Sequence, residues 1–382
     1  MVYCQWRGGE STQDGLPMQE MPVLRPLCTT DSSSTQGCAM TTTLPSIRKQ
    51  RDRQPRLRYS PRWIGAGLAG SVLAGVAGFY GGLPITLALA GAGAMSAGYA
   101  LTIEPRRIRL TVKDLSFEHL PSGLDGLTIG QLSDLHLGHR YSFTNAHQAI
   151  DQLLATQPEI IVLTGDLVQT RAAISRLPDV LRRLHAPLGV YAVPGNHDYW
   201  EGMPHIATML REHGIQLLIN RHRLIERQGA RLLLAGVDDH WDGSPDLELA
   251  VGGAPAHDFR ILLAHCPDIA DEAATAGFHL QLSGHTHGGH VRLPGLGPLC
   301  LPRHGWRYDM GHFQVGSMHL FVSRGISGLP LRLGCPPEVN LFQLRRIAAE
   351  TGDAQSATLR AHGDHGEAAR FQRPSAGSPA RD

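Results

Sequence analysis

The sequence carries little charge. Of its 382 residues only 18% are Asp, Glu, Lys or Arg, and the formal net charge is +1. That balance excludes a global electrostatic pull toward nucleic acid or an acidic partner as the basis of function. Cysteine is scarce as well. Cys4, Cys28, Cys38, Cys266, Cys300 and Cys335 form no CxxC pair, so neither a thiolate zinc site nor a disulfide framework is expected, and free thiols in a reducing compartment are. No apolar stretch directly follows Met1, so no conventional signal peptide is expected to begin there; Met18, Met21 and Met40 are alternative starts.

The most informative absence is local. From Trp63 to Ile103, 41 residues pass without one charge, about twice the ~20 needed to cross a bilayer as a helix. Gly81-Gly82-Leu83-Pro84 interrupts the block near its middle, where helix breakers permit a turn. The expectation is a transmembrane helical hairpin, roughly 63–81 and 85–103. Small residues recur at every fourth position (Ala66, Gly70, Ala74, Gly78, Gly82, then Ala90, Ala94, Gly98), a pattern that lets helix backbones approach closely in lipid. Arg48, Lys49, Arg51, Arg53, Arg56, Arg58 and Arg62 precede the block, and Arg106, Arg107 and Arg109 follow it. Basic flanks at both ends place both termini in the cytoplasm by the positive-inside rule. A buried Gly/Ala-rich core hairpin, and a single span with an exported catalytic domain, are the competing readings.

Four regions follow: a disordered basic leader (1–62), the hairpin (63–103), a catalytic domain (104–347) and a disordered tail (348–382). Leader and tail lack hydrophobic periodicity and are rich in polar residues and Pro. His362 and His365 in the tail are read as bystanders.

Within 104–347, short apolar runs read as strands: Leu127–Leu132, Ile160–Leu163, Val190–Val193, Leu232–Leu234, Arg260–Ala264, Leu280–Leu282, His319–Val322 and Val339–Leu344. Helices are expected over Asn145–Ala155, with Thr144 as N-cap, and over Arg171–Leu184, His205–His213 and Pro267–Ala276. Strand–helix alternation followed by strand-dense sequence points to a layered α/β sandwich with mixed sheets.

Clusters of metal-ligating residue types close five of those runs. They are Ser133-Asp134-Leu135-His136, Thr164-Gly165-Asp166, Pro194-Gly195-Asn196-His197-Asp198, His265, and Gly284-His285-Thr286-His287-Gly288-Gly289. Ligands bind beyond the carboxyl ends of strands in α/β sheets. Residues two apart in an extended chain point the same way, so Asp134 and His136, and His285 and His287, are expected to converge pairwise. Carboxylates, imidazoles and a carboxamide suit Mn, Fe or Zn. Any one of these residues alone reads as a cap, a turn or a structural histidine; the weight lies in the set.

The set resembles the calcineurin-like metallophosphoesterases, whose ordered signature D-x-H, G-D, G-N-H-[DE], H, G-H-x-H stands here as DLH, GD, GNHD, His265 and GHTH. The resemblance covers about 125–345. The runs GHTHGGHVRLP and RGISGLP resemble a bacterial membrane-associated branch acting on phosphodiesters or lipid-linked nucleotide pyrophosphates. It implies an α/β/β/α sandwich and a pair of divalent metal ions, Mn first, with Fe, Zn or Mg as alternatives. By the resemblance Asp166 bridges the pair; Asp134, His136 and His287 complete one metal's ligands, and Asn196, His265 and His285 the other's. His197 becomes the non-ligand histidine facing the leaving group, and Asp198 a support for its loop.

What the resemblance implies about function is hydrolysis of a phosphodiester or pyrophosphate bond. The apolar block with its basic flanks puts that chemistry at the cytoplasmic side of an inner membrane, with membrane lipid as neighbour, and the charge balance leaves no nucleic acid expected as partner. A lipid-linked nucleotide, as in UDP-2,3-diacylglucosamine hydrolysis of lipid A synthesis, is the concrete candidate. Alternatives are an anchored phosphodiesterase or phosphatase with a soluble substrate, and a non-enzymatic membrane scaffold. Protein phosphatase activity is disfavoured, since GDLVQTR and GNHD replace GDxVDRG and GNHE. Outside the set, His139, His147, His240 and His290 read as surface or supporting residues. Asp238-Asp239-His240 reads as a turn or pocket wall, Arg324 as a phosphate contact or local ion pair, and Tyr199 and Trp200 as stacking or packing aromatics.

Overall fold

A computed structural model describes residues 57–347 of the chain. Most of the expected leader, the whole tail, Cys4, Cys28, Cys38, His362 and His365 lie outside the described residues.

In chain order the strands of the two large sheets are β1 (Arg109–Phe117), β2 (Thr128–Leu132), β3 (Ile160–Thr164), β4 (Val190–Val193), β5 (Gln216–Leu217), β6 (Arg221–Arg227), β7 (Ala230–Gly236), β8 (Phe259–Leu263), β9 (Leu280–Ser283), β10 (Gly311–Val315), β11 (Met318–Val322) and β12 (Glu338–Arg346). One sheet runs β1-β12-β2-β3-β4-β5 and the other β10-β11-β9-β8-β7-β6. Both are mixed: β2, β3, β4 and β5 are parallel while β12 is antiparallel to β2. Likewise β7, β8, β9 and β11 are parallel, while β6 and β10 pair antiparallel at the edges.

The central strands are unbroken apolar runs because both of their faces are covered. Along β3, Ile160 and Val162 face the second sheet, where they meet Leu232, Leu234, Ile261 and Leu263. Ile161 and Leu163 face the other way, onto Ala149, Leu153 and Leu177. The far face of the second sheet packs Leu262 and Leu320 on Ala270 and Ala273. Four layers result, α/β/β/α, as the resemblance implies. The period-2 pleat assigns each residue of a run to one core or the other.

All eight expected strands are present; β1, β5, β6 and β10 are additional in the two large sheets. Three helix expectations change, one of them Pro267–Ala276, which divides into a 3₁₀ segment, Pro267–Ile269, and a short α-helix, Ala270–Thr275. The helix Ser142–Leu154 starts before Thr144, with Tyr141 in a left-handed conformation at the cap position, so Thr144 lies inside it. Arg171–Leu184 divides into a 3₁₀ segment, Arg171–Arg176, and a short α-helix, Leu177–Leu181.

The charge-free block forms the helical element Pro61–Gly98, 38 residues long, with a break at Gly82 (φ 64°, ψ −163°). It is long and apolar enough to cross a membrane. As a straight rod it would extend about 57 Å, at ~1.5 Å per residue, yet its ends return to neighbouring loops. Ser60 N donates to Leu299 O at 3.0 Å and Arg332 N to Ala100 O at 2.9 Å. Leu299 N is bonded to Val291 O and Arg292 N to Leu333 O, at 2.8 and 2.7 Å, which ties those loops together. The element therefore doubles back at the expected breakers. Its legs do not pack along the whole small-residue stripe: a Cβ added at Gly70 or Gly98 meets nothing within 4 Å. Among the glycines, close approach between the legs is confined to the turn, where Gly78 faces Thr86 and Gly81 faces Ile85.

Candidate metal centre

The carboxyl ends of β2, β3, β4, β8 and β9 all open on one edge of the sandwich, and the five clusters meet there. Asp134, His136 and His287 offer ligand atoms within 4.8 Å of one another, as do Asp166, His265 and His285. All six are buried. Asp166 joins the groups, with Oδ2 3.2 Å from His265 Nε2 and 3.4 Å from His136 Nε2. On the other side His287 Nε2 lies 3.4 Å from Asp134 Oδ1 and 3.1 Å from His136 Nε2. Asn196 lines the same cavity, and its side-chain Oδ1 is buried without a hydrogen-bond partner.

The rings are aimed by the backbone. His265 Nδ1 sits 2.7 Å from Thr164 O, and His285 Nε2 sits 2.7 Å from Arg303 O. A carbonyl only accepts, so each of these nitrogens carries the proton, and the opposite nitrogen of each neutral ring presents a lone pair. Those lone pairs, His265 Nε2 and His285 Nδ1, lie 3.2 Å apart beside the Asp166 carboxylate. Three electron-rich atoms converging in a buried space require a cation between them, a proton or a metal ion.

Titration follows that logic. Burial pushes His265 down, but the facing Asp166 carboxylate holds it up at about 10. Burial raises Asp166, yet the His265 cation overrides this and holds it below the usual carboxylate range. Burial lifts Asp134 to about 6 and lowers His136 and His285 to about 3. The lowered histidines are neutral at pH 7, the form in which imidazole ligates.

How the residues converge differs from the expectation. Asp134 and His136 are not in extended chain: both have left-handed backbones (φ 54° and 41°), as do Asp166 (54°), His285 (74°) and His287 (51°). Such φ values are uncommon outside glycine and gather at functional sites. Tight turns rather than strand alternation aim the side chains, and they send His285 and His287 to different groups. Gly195 permits the approach of one loop to another, since a Cβ there would strike the Asp166 carboxylate.

Residues 127–289 match the family profile of the calcineurin-like phosphoesterases. The metallophosphoesterase YkuE of Bacillus subtilis, itself uncharacterised, is 34% identical over 275 residues, 70% of this chain and 95% of the relative. The chain belongs to the calcineurin-like phosphoesterase family. The phosphodiesterase YaeI of Escherichia coli is 32% identical over 56% of this chain and 80% of its own. A bovine transmembrane protein with a metallophosphoesterase domain is 31% identical over 62% of this chain and 57% of its own. Calcineurin-like phosphoesterases use divalent metal ions, and the donor set here fits them.

In this phosphoesterase the remaining candidates separate. His197 is half-buried, its ring edge-on to His136 at 4.7 Å, and with His136 and Asp166 it forms a further group within 4.8 Å. Geometry alone thus puts His197 within ligand reach. Asp198 turns away: Oδ1 accepts from Leu167 N and Oδ2 from Gly195 N, at 2.8 and 3.0 Å, so it braces the Asp166 loop. Arg324 pairs with Glu338, and Tyr199 hydroxyl donates to Asp238; both are local contacts. Asp239 accepts from Trp241 N and Asp242 N at 2.8 and 2.7 Å, which makes the triplet a turn that presents Trp241 to the cavity. His139 and His290 line the cavity too, while His147 contacts Arg183.

The sequence reading passed over Trp241 and Arg332. Trp200 and Trp241 meet edge to face at 5.6 Å on the wall of a cavity of about 310 Å³. Arg332 is 1% exposed; its guanidinium donates to the carbonyls of His287, Arg324 and Ser327. Neither residue stands in a motif.

Proposed function

We propose that the chain hydrolyses a phosphodiester or pyrophosphate bond with a pair of divalent ions, Mn first, held by Asp134, His136, Asp166, Asn196, His265, His285 and His287. The observation that carries this reading is the pair of backbone-locked imidazoles, His265 and His285, presenting lone pairs to Asp166. Bound there, divalent ions neutralise phosphoryl oxygens and acidify water.

The chain's own residues supply the rest. Asp166 reaches both groups and so fixes their spacing. The Asn196 carbonyl oxygen is one more uncharged donor, and its amide can meet charge growing on the phosphoryl group. His197 N donates to Asp166 Oδ1 at 2.9 Å, which holds the residue over the cage. Its ring, protonated, gives a proton to the departing oxygen.

The substrate in this proposal is a lipid-linked nucleotide at the cytoplasmic face of an inner membrane, with 104–347 as the catalytic domain. Support comes from the Pro61–Gly98 element and from relatives named as transmembrane proteins. Purified full-length protein with Mn should release UMP from UDP-2,3-diacylglucosamine. Robust cleavage of soluble diesters alone would remove the lipid-nucleotide assignment and keep the diesterase.

A further inference from the structure

The ends of the apolar element do more than connect it to the domain. At its start, residues 57–59 pair antiparallel with 300–302, and Trp63 Nε1 donates to Gly297 O at 3.2 Å. At its finish, Ala100 O accepts from Arg332 N, and Glu104 Oε1 accepts from Cys335 N at 2.7 Å. Cys300 and Pro302 on the first side, and Gly328 and Leu329 just ahead of the second docking segment, line the catalytic cavity. Both ends of the membrane segment are therefore fastened to the rim of the active site.

The first leg, 61–81, has about 21 residues, and the second, 83–103, matches it once the π-helical turn Tyr99–Ile103 that continues the element is counted; each reaches roughly 31 Å, close to the ~30 Å hydrocarbon thickness. The leg ends thus sit at the interface. Each carries an aromatic there, Trp63 and Tyr99, beside Arg62 and Arg107, and Arg107 Nη1 donates to the Tyr99 hydroxyl at 2.8 Å. Tyr and Trp favour that level, and arginines favour anionic head groups. The rim loops bonded to these ends lie at the same level. Their tips are apolar and exposed: Leu293 is 37% and Leu329 54% exposed, beside Leu101 at 46% and Ile103 at 52%.

We propose that this rim, with Leu293 and Leu329 at its tips, docks on the bilayer surface, so that the cavity opens into the head-group layer and takes its phosphoester from a lipid of the same membrane. The proposal rests on the phosphoesterase reading above and deepens it. Docking explains why leucines stand exposed at the tips of the rim loops: they have lipid to bury against.

The test uses full-length protein in vesicles with Mn and two chromogenic diesters, vesicle-borne phosphatidyl-p-nitrophenol and soluble bis(p-nitrophenyl) phosphate. Wild-type protein should cleave both. Leu293→Asp should lower the rate on the lipid by roughly tenfold or more and leave the soluble diester within about twofold, as expected when one charge is forced into the interface. Leu293→Trp should retain the lipid rate. Soluble turnover serves as the folding control. Equal loss on both substrates, no loss on either, or a wild-type enzyme that cleaves only the soluble diester would overturn the docking proposal. Failure of wild-type protein on both diesters would instead overturn the phosphoesterase reading, and the docking proposal with it.

Discussion

His265 Nε2 lies 3.2 Å from Asp166 Oδ2 while its Nδ1 is tied to the Thr164 carbonyl at 2.7 Å. With the outer nitrogen fixed as a donor, the inner one must hold either a proton or a metal. Without metal the Asp166 carboxylate keeps His265 protonated up to about 10. Ligation requires the deprotonated ring, so lowering the pH favours the form that cannot bind. Metal uptake at pH 7 should then release about one proton from His265, and affinity should rise as pH increases toward 10. Calorimetry in buffers of different ionisation enthalpy measures the released protons; uptake without release would contradict the assignment.

His197 stands over the cage rather than within the tied set. Burial lowers its pKa below 6.5, so the acidic form fades as pH rises through that lower value. His197→Gln should keep metal content and slow turnover by about 10²–10⁴-fold on diesters with alkyl leaving groups. The loss should be much smaller for p-nitrophenolate, which departs without a proton. Metal loss equal to that of an Asp166 variant would make His197 a ligand instead, as its place beside His136 and Asp166 permits.

Gly195→Ala tests the packing of two loops. Its Cβ would collide with the Asp166 carboxylate, and Asp198 on the same turn braces the Asp166 loop through Leu167 N. Metal affinity should fall about tenfold or more, equivalent to roughly 1.4 kcal/mol, with secondary structure retained. Unchanged affinity in a metal titration would show that the loops move apart freely.

Arg332 is a structural cation. Its guanidinium satisfies the His287, Arg324 and Ser327 carbonyls in a site 1% exposed. Arg332→Met leaves the Arg324 and Ser327 carbonyls unpaired, at about 1–3 kcal/mol for each group, while the His287 carbonyl keeps His290 N and Cys335 Sγ as donors. The thermal midpoint of detergent-solubilised protein should drop by several degrees or more. An unchanged midpoint would mean water replaces the guanidinium.

Much of this was legible beforehand, and the reasons are physical. Ile160–Thr164 and its neighbours read as strands because two cores cover both faces, leaving runs with no polar interruption. The ordered clusters marked the site because sheet topology brings strand ends to one edge. The turn at Gly82 was written in glycine and proline. Strand alternation misled for Asp134 and His136, since Asp and His tolerate left-handed φ more readily than most residues yet adopt it too seldom for residue type alone to announce it. Trp241 and Arg332 stand alone in loops, and only folding gives them neighbours. The docking of the apolar element was invisible because Leu299 and Ala100 use backbone oxygens, which every residue possesses.

The most direct measurement is the metal content of the full-length chain and of Asp166→Ala, counted by plasma mass spectrometry after equilibration with Mn and gel filtration. The account predicts about two ions per wild-type chain, as a binuclear hydrolase requires, and loss of both, with diesterase activity, when Asp166 is removed. A wild-type chain holding a single ion that survives in Asp166→Ala would contradict it.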